Sequence, residues 1–169
     1  MKAAAGGLVA IALALALQTT LARFVVAGNA AIDLVLVAVV YVALTTGPIS
    51  GMVAGSVAGL IQDALSTNVL GIGGLSKSIV GFLAGAIGQQ FIVTAALPRL
   101  VMFVGATIVH LAVFMGMYVA LGLRTFPSPW RAMLSQALGN AVIGLIAFTM
   151  IEALPGMVER RRMGRRARH

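Results

Sequence analysis

Four glycines repeat at intervals of four residues, at Gly47, Gly51, Gly55 and Gly59, and Asp63 continues the same spacing. Residues four apart share one face of an α-helix, so this face would carry almost no side chains. In water, a glycine inside a helix costs about 1 kcal/mol relative to alanine. In a bilayer the backbone has no water to bond to instead, and small residues let two helices approach closely. The pattern therefore predicts a membrane helix whose glycine face, ending at Asp63, packs against another helix or a partner.

Composition agrees with a membrane protein built of helices. Hydrophobic residues make up 60% of the 169 residues and charged residues only 9%, whereas soluble domains carry about 25% charged residues. The chain contains no cysteine, which excludes disulfides, thiol nucleophiles and cysteine-bound metals. We predict an all-α, polytopic membrane bundle over residues 1–157, followed by a basic cytoplasmic tail over residues 158–169.

The net charge of +8 reflects a cluster near one end of the sequence rather than a surface for nucleic acid. Half of the twelve basic residues lie in the last ten positions: Arg160, Arg161, Arg162, Arg165, Arg166 and Arg168. A basic run beside a membrane span holds that side in the cytoplasm and attracts anionic lipid. We therefore expect the tail to bind anionic lipids, and we expect no binding to nucleic acid.

Six apolar segments follow one another along the chain, and each is predicted to be a membrane helix. The second and third have only about 15 residues, fewer than the roughly 20 that cross a bilayer. Gly47-Pro48 between them is either a tight hairpin turn or a kink in one long helix. The predicted segments are residues 3–22, 32–46, 48–62, 71–93, 98–122 and 131–154, the last ending at Pro155-Gly156.

The distribution of basic residues favours six crossings over five. Cytoplasmic segments carry an excess of lysine and arginine. With six crossings, Lys2 and the arginine-rich tail lie on the same side of the membrane, whereas five crossings would separate them. We therefore expect both termini in the cytoplasm.

Asp63 and Lys77 are the acid and the base that the predicted helices bring near each other inside the membrane. Lys77 lies about two turns into the fourth segment, where an unpaired charge costs roughly 2.5–3.5 kcal/mol. We predict that Asp63 and Lys77 form an ion pair, which is either structural or part of an ion or substrate site. Asp63 alternatively caps the helix that starts around residues 71–74, or binds a partner.

A set of polar residues is predicted at membrane depth in the last two segments. His110 lies near the middle of the fifth segment, and Gln136 and Asn140 lie one turn apart on the sixth. Buried polar groups in lipid bond to one another, at about 0.6 kcal/mol per bond. We interpret these three as an intramembrane polar cluster that ties helices together. A proton relay through His110 would need a second titratable group at its depth, and Asp33 and Glu152 are both predicted at segment ends.

The sequence lacks the motifs of common enzymes. It contains no HExxH, no GxSxG and no phosphate-binding loop that carries a lysine. Four acidic residues in the whole chain leave little for acid–base chemistry. We therefore expect no catalytic residues, no bound metal and no cofactor.

The order of several motifs is characteristic of one family. The most specific part is GxxxGxxxGLxxD over residues 51–63, followed by a short loop and Leu70-Gly71. In length and segment order the chain resembles the bacterial rod-shape-determining protein MreD family over nearly all of its residues, with the resemblance concentrated in residues 31–85. The other matching elements are Asp33-Leu34, Tyr41, Gly47-Pro48 and Gly81-x-Leu83-x-Gly85.

The resemblance implies a non-enzymatic subunit of the bacterial cell-elongation machinery in the inner membrane. It implies that the protein pairs with the bitopic protein MreC. It also implies that the protein acts together with the MreB cytoskeleton, the RodA glycosyltransferase and the elongation-specific penicillin-binding transpeptidase. It also implies a six-helix fold like that of the substrate-binding subunits of energy-coupling-factor vitamin transporters.

Two other classes of protein stay open. A true vitamin-binding transporter subunit would carry small residues four apart on its first helix, as at Ala10 and Ala14, and would gather polar and aromatic residues around an outer pocket. A small channel or exporter would need a line of polar residues through the bundle. Only His110, Gln136 and Asn140 offer a fragment of such a line.

Overall fold

The structure, a computed structural model, describes residues 2–21, 32–66, 69–91, 95–126 and 128–166. Within these ranges the chain forms six α-helices and no strand, so the predicted all-helical fold is confirmed. Arg168 and His169 of the predicted tail lie outside the described residues, as do residues 22, 92 and 93 of the predicted segments. The helices are α1 (Lys2–Leu21), α2 (Leu34–Thr46), α3 (Pro48–Leu65), α4 (Ile72–Gln90), α5 (Ala96–Ala120) and α6 (Pro129–Arg166).

The sixth helix is longer than predicted, and its predicted end at Pro155-Gly156 is wrong. α6 continues through both residues to Arg166. Proline lacks the N–H that donates a hydrogen bond inside a helix. The residues that follow, 157–162, are mostly good helix formers and favour continuation of the helix. The helix therefore crosses the predicted boundary between membrane domain and tail without a break.

The connection between α2 and α3 is a hairpin rather than a kink. Gly47 alone separates the two helices and has a φ of 96°, a conformation that other residues rarely adopt. Pro48 is the first residue of α3, where its missing N–H would have no helical partner in any case. α3 then runs back along α2, with Gly51 directly against Ala43.

α2 forms the centre of the bundle and contacts each of the other five helices. Its sequence, LVLVAVVYVAL, is apolar all round, as expected for a helix buried on every side. With 13 residues it is about 20 Å long, shorter than a hydrocarbon layer of about 30 Å. At least one end of α2 must therefore lie at membrane depth. Its most deeply buried residues are Val35, Leu36, Val39, Val40 and Ala43.

The bundle is apolar on the outside and carries polar residues inside. Large apolar side chains are exposed on α1, α3, α4, α5 and α6, such as Ile49 at 71% and Leu97 at 72%. Such a surface is expected where lipid is the solvent. Within the described ranges, two helices are long and apolar enough to cross a membrane by length and composition, Ala96–Ala120 and Pro129–Ile151. The buried polar residues are Asp33, Asp63, Ser76, Lys77, Arg99, Thr107, His110, Gln136 and Asn140.

Candidate functional site

The glycine face of α3 packs against the backbone of α4. A Cβ atom at Gly51 would lie 2.5 Å from the carbonyl oxygen of Gly81, and one at Gly55 would overlap the carbonyl group of Lys77. The two helix backbones therefore touch directly, as in other close helix pairs in membranes. This face is thus filled from within the chain, while Gly47 forms the turn before it. We call the contact the glycine seam, made by Gly51, Gly55 and Gly59 of α3 with Gly74, Lys77 and Gly81 of α4.

Asp63 lies one turn beyond the glycine seam and caps the start of α4. Its Oδ2 accepts hydrogen bonds from the backbone N–H groups of Gly71, Gly73 and Gly74 at 3.0, 2.9 and 3.2 Å. These N–H groups have no partner within the helix, and negative charge is favourable at this end of it. A side chain at Gly73 would overlap the carboxylate. The cap therefore requires glycine at position 73.

The predicted ion pair between Asp63 and Lys77 is wrong, because the partner of Lys77 is Asp33. Lys77 Nζ lies 2.7 Å from Asp33 Oδ2, and both side chains are almost fully buried. The glycine seam places Gly55 opposite Lys77, so Asp63, eight residues further along α3, lies about 12 Å beyond it. The ion pair links α4 to the start of α2.

Asp33 is also the residue that starts α2. Its Oδ1 accepts a hydrogen bond from the N–H of Leu36 at 2.9 Å, and its own N–H donates to Asn140 Oδ1 at 2.8 Å. Gln18 of α1 bonds to the backbone on both sides of Asp33, at 2.8 and 3.2 Å. Gln18 of α1, Asp33 itself and Asn140 of α6 thus satisfy the polar groups of a buried helix start.

His110 of α5 faces the same carboxylate. Its Nε2 lies 3.6 Å from Asp33 Oδ2, which is too far for a hydrogen bond. Its Nδ1 is buried and has no hydrogen-bond partner in the described part of the chain. The expectation that no titratable group lies at the depth of His110 is therefore wrong.

Contacts along α5 give the depth of these groups. Tyr118, near the end of α5, accepts a hydrogen bond from the N–H of Val69, between α3 and α4, at 2.9 Å. His110 lies eight residues earlier in the same helix, which corresponds to about 12 Å. Asp33 and Lys77 therefore also lie about two turns inside the bundle, and not at its surface.

The three residues of the predicted polar cluster occupy different positions around Asp33. His110 and Asn140 approach it from α5 and α6, and Asn140 Nδ2 also donates to Thr107 Oγ1 at 3.1 Å. Gln136 is buried one turn before Asn140, but within the described residues its side chain makes no bond to the other two. We call Asp33, Lys77, His110 and Asn140 together the polar site.

The prediction from sequence missed Asp33, Gln18 and Thr107 as members of this region. Two signals pointed to Asp33. An aspartate directly before an unbroken apolar segment is a helix-capping residue, and the segment after it is too short to start at the membrane surface. No comparable signal distinguishes Gln18 or Thr107, because the bonding of each depends on the tertiary fold.

The polar site is closed on one side by apolar packing. Leu36, Val40, Val80 and Phe103 form a buried cluster that continues from it toward the Gly47 turn. In the described residues, the polar groups therefore do not form the continuous line that a channel requires. No group of three or more histidine, aspartate or glutamate side chains in these residues could hold a metal ion.

A helical bundle with an apolar exterior, a backbone-to-backbone seam and buried charges has the character of an integral membrane protein. The comparison with known families agrees: the model of the rod shape-determining protein MreD matches residues 5–154. The match covers most of the chain, which therefore belongs to this family of membrane proteins that determine rod shape, and the predicted family is confirmed. No curated protein and no solved structure matches the chain.

Proposed function

We propose that this protein is a non-enzymatic, multi-pass subunit of the bacterial elongation machinery that binds MreC in the inner membrane. In this role it supports peptidoglycan synthesis by RodA and the elongation transpeptidase, in concert with the MreB cytoskeleton. The family match over residues 5–154 carries the proposal. Both termini lie in the cytoplasm, where the arginine-rich tail meets anionic lipid.

The bonding of the buried charges supports a scaffold. Asp63 binds three backbone N–H groups, and Asp33 caps α2 and pairs with Lys77. An acid or base in catalysis must reach the proton of a substrate, whereas these carboxylates are engaged in holding helices together. Their geometry favours a rigid bundle that presents apolar outer faces to other membrane helices.

Reconstitution with MreC tests the proposal directly. The protein, in lipid nanodiscs, is expected to retain full-length MreC in a pull-down, and an unrelated single-span protein of similar size serves as the control. Replacing the arginines of residues 160–168 with glutamine should leave MreC bound and should weaken binding to vesicles containing phosphatidylglycerol. Failure to retain MreC under conditions where the bundle is folded would overturn the proposal.

The orientation is tested separately with reporter fusions. Fusions at Lys2 and at His169 are both expected to report the cytoplasm. Reporters on opposite sides of the membrane would contradict six crossings.

A further inference from the structure

The helices around α2 form a ring that is open at one place. Contacts join α1 to α3, α3 to α4, α4 to α5 and α5 to α6. Among the described residues, α6 and α1 do not contact each other, although both contact α2. Because neighbouring helices pack at similar interaxial distances, a central helix has room for about six neighbours, and α2 has five. The remaining space lies between α1 and α6, and we call it the α1–α6 gap.

One face of α2 forms the floor of the α1–α6 gap. Leu34, Ala38, Tyr41 and Thr45 follow one another at intervals of four, three and four residues, and therefore share this face. Thr45 is the one exposed residue of α2, and Leu34 and Tyr41 are partly exposed. Tyr41 packs against two hydrophobic clusters, one that includes α1 and one that includes α6. This face therefore lies between α1 and α6.

The floor of the gap has the pattern of a surface on which a helix packs. Spacings of four and three residues follow one side of a helix, and two helices pack along such a side at a crossing angle of about 20°. Large and small side chains alternate along the floor, from Leu34 and Ala38 to Tyr41 and Thr45. The small residues let the backbone of another helix approach closely, as in other helix pairs in membranes. The gap therefore fits a helix better than a lipid chain.

The position of the gap determines what kind of helix can enter it. An entering helix is contacted on three sides, by α1, α2 and α6. In a second copy of this bundle, each outer helix is already packed against its own neighbours and has only its outer face free. The helix of a single-span protein has no such neighbours and can enter the gap completely. The four floor residues are uncharged, so the complementary helix is apolar.

We propose that the α1–α6 gap binds the single membrane-spanning helix of a bitopic protein. The identity of that protein as MreC rests on the proposed function, and the gap specifies where it binds. The bound helix runs along α2 and completes the ring around it. Its small residues lie opposite Leu34 and Tyr41, and its larger ones lie opposite Ala38 and Thr45.

Photo-crosslinking from the floor of the gap tests this assignment. Benzoylphenylalanine, a photoreactive residue, replaces Thr45, whose hydroxyl bonds to carbonyl groups of its own helix. The matched control carries benzoylphenylalanine at Ile49, which is strongly exposed on α3 at the same end of the bundle. Each protein is irradiated in nanodiscs that also contain full-length MreC. Retention of MreC by the unmodified protein, measured in the same nanodiscs, tests the proposed function separately.

The expected result is a covalent adduct between position 45 and the membrane span of MreC, with none from position 49. Thr45→Trp, which fills the gap, should weaken retention of MreC at least tenfold, while Ile49→Trp should leave it unchanged. Both variants should unfold at the temperature of the parent, and the crosslinks alone decide the matter if Thr45→Trp does not fold.

Two kinds of failure are distinguishable. If the unmodified protein retains MreC but position 45 forms adducts only with lipid or with a second copy of this chain, the gap assignment is wrong and the proposed function stands. An adduct from position 49 in place of position 45 has the same meaning. An unmodified, folded protein that does not retain MreC overturns both proposals.

Discussion

The glycine seam and the polar site share one residue, Lys77, yet they hold the bundle together in opposite ways. The backbone of Lys77 lies against Gly55 in the glycine seam, and its side chain reaches Asp33 in the polar site. At Gly51, Gly55 and Gly59 of the seam, any added side chain would meet the backbone of α4. The polar site is centred on the Asp33–Lys77 ion pair between two side chains, and it depends on the balance of their charges. Shape limits substitution in the first region, and charge limits it in the second.

The largest effect is expected in the glycine seam, for Gly55→Leu. Overpacking a core typically costs about 1–3 kcal/mol and occasionally more. Here the new side chain meets backbone that cannot move aside, so we expect a loss beyond this range, up to complete loss of the folded protein. Val53→Leu and Val57→Leu, at positions about half exposed on other faces of α3, are the matched controls and should change stability little. Detergent-titration unfolding measures all three. Equal losses on the two faces would contradict close backbone packing.

The next largest effect is expected in the polar site, for Lys77→Met. Methionine fills a similar volume but leaves the Asp33 carboxylate buried and unpaired. Breaking a buried ion pair by removing one partner costs about 3–5 kcal/mol of stability. Relaxation of α2 around Asp33 reduces this cost. The control is Arg131→Met, which removes a positive charge from an exposed position and should have little effect. A Lys77→Met protein as stable as the parent would show that the pair has no structural role.

A smaller loss is expected for Asp63→Asn, which keeps the shape of the cap and removes its charge. The interaction with the start of α4 should weaken by about 1–2 kcal/mol. In hydrogen exchange, the N–H groups of Gly71, Gly73 and Gly74 should exchange faster, while the N–H of Leu36, which Asp33 holds, should stay protected. Unchanged exchange at all three glycines would exclude Asp63 as the cap.

The smallest effect is expected for Gly105→Ala, and its sign is opposite. A Cβ at Gly105 meets nothing within 4 Å, so alanine should stabilise α5 by about 0.5–1 kcal/mol through its helix propensity. Gly81→Ala, on the glycine seam, should destabilise the protein instead. If Gly105→Ala proved as damaging as Gly81→Ala, the outer face of α5 would have to pack against a further helix.

The glycine seam was predictable because it depends on the backbone. A four-residue repeat of glycine on an apolar helix predicts a face where another helix packs closely. Gly51, Gly55 and Gly59 form such a face against α4. The partner of Lys77 was not predictable in the same way. Asp63 is much closer to Lys77 along the sequence than Asp33 is, and the prediction therefore chose Asp63. Only the fold shows that Gly55 lies opposite Lys77 and that α2 starts inside the bundle, which brings Asp33 to the depth of His110.

The length of α6 shows a second limit of sequence reasoning. A proline followed by glycine at residues 155 and 156 is a strong local signal to end a helix, and the helix nevertheless continues to Arg166. The propensity of the residues beyond the proline outweighs one lost hydrogen bond. A proline indicates the free-energy cost of helix formation at one position. It does not indicate the net helix stability of the whole segment.

Double-mutant cycles that join Lys77 to each aspartate test the division between the two regions most directly. Lys77→Met is combined with Asp33→Asn in one cycle and with Asp63→Asn in the other, and the free energy of unfolding is measured for every variant. We expect a coupling energy of about 2–3 kcal/mol between Lys77 and Asp33, and additivity within about 0.5 kcal/mol for Lys77 and Asp63, which are separated and share no partner. Strong coupling of Lys77 to Asp63, with none to Asp33, would contradict the account.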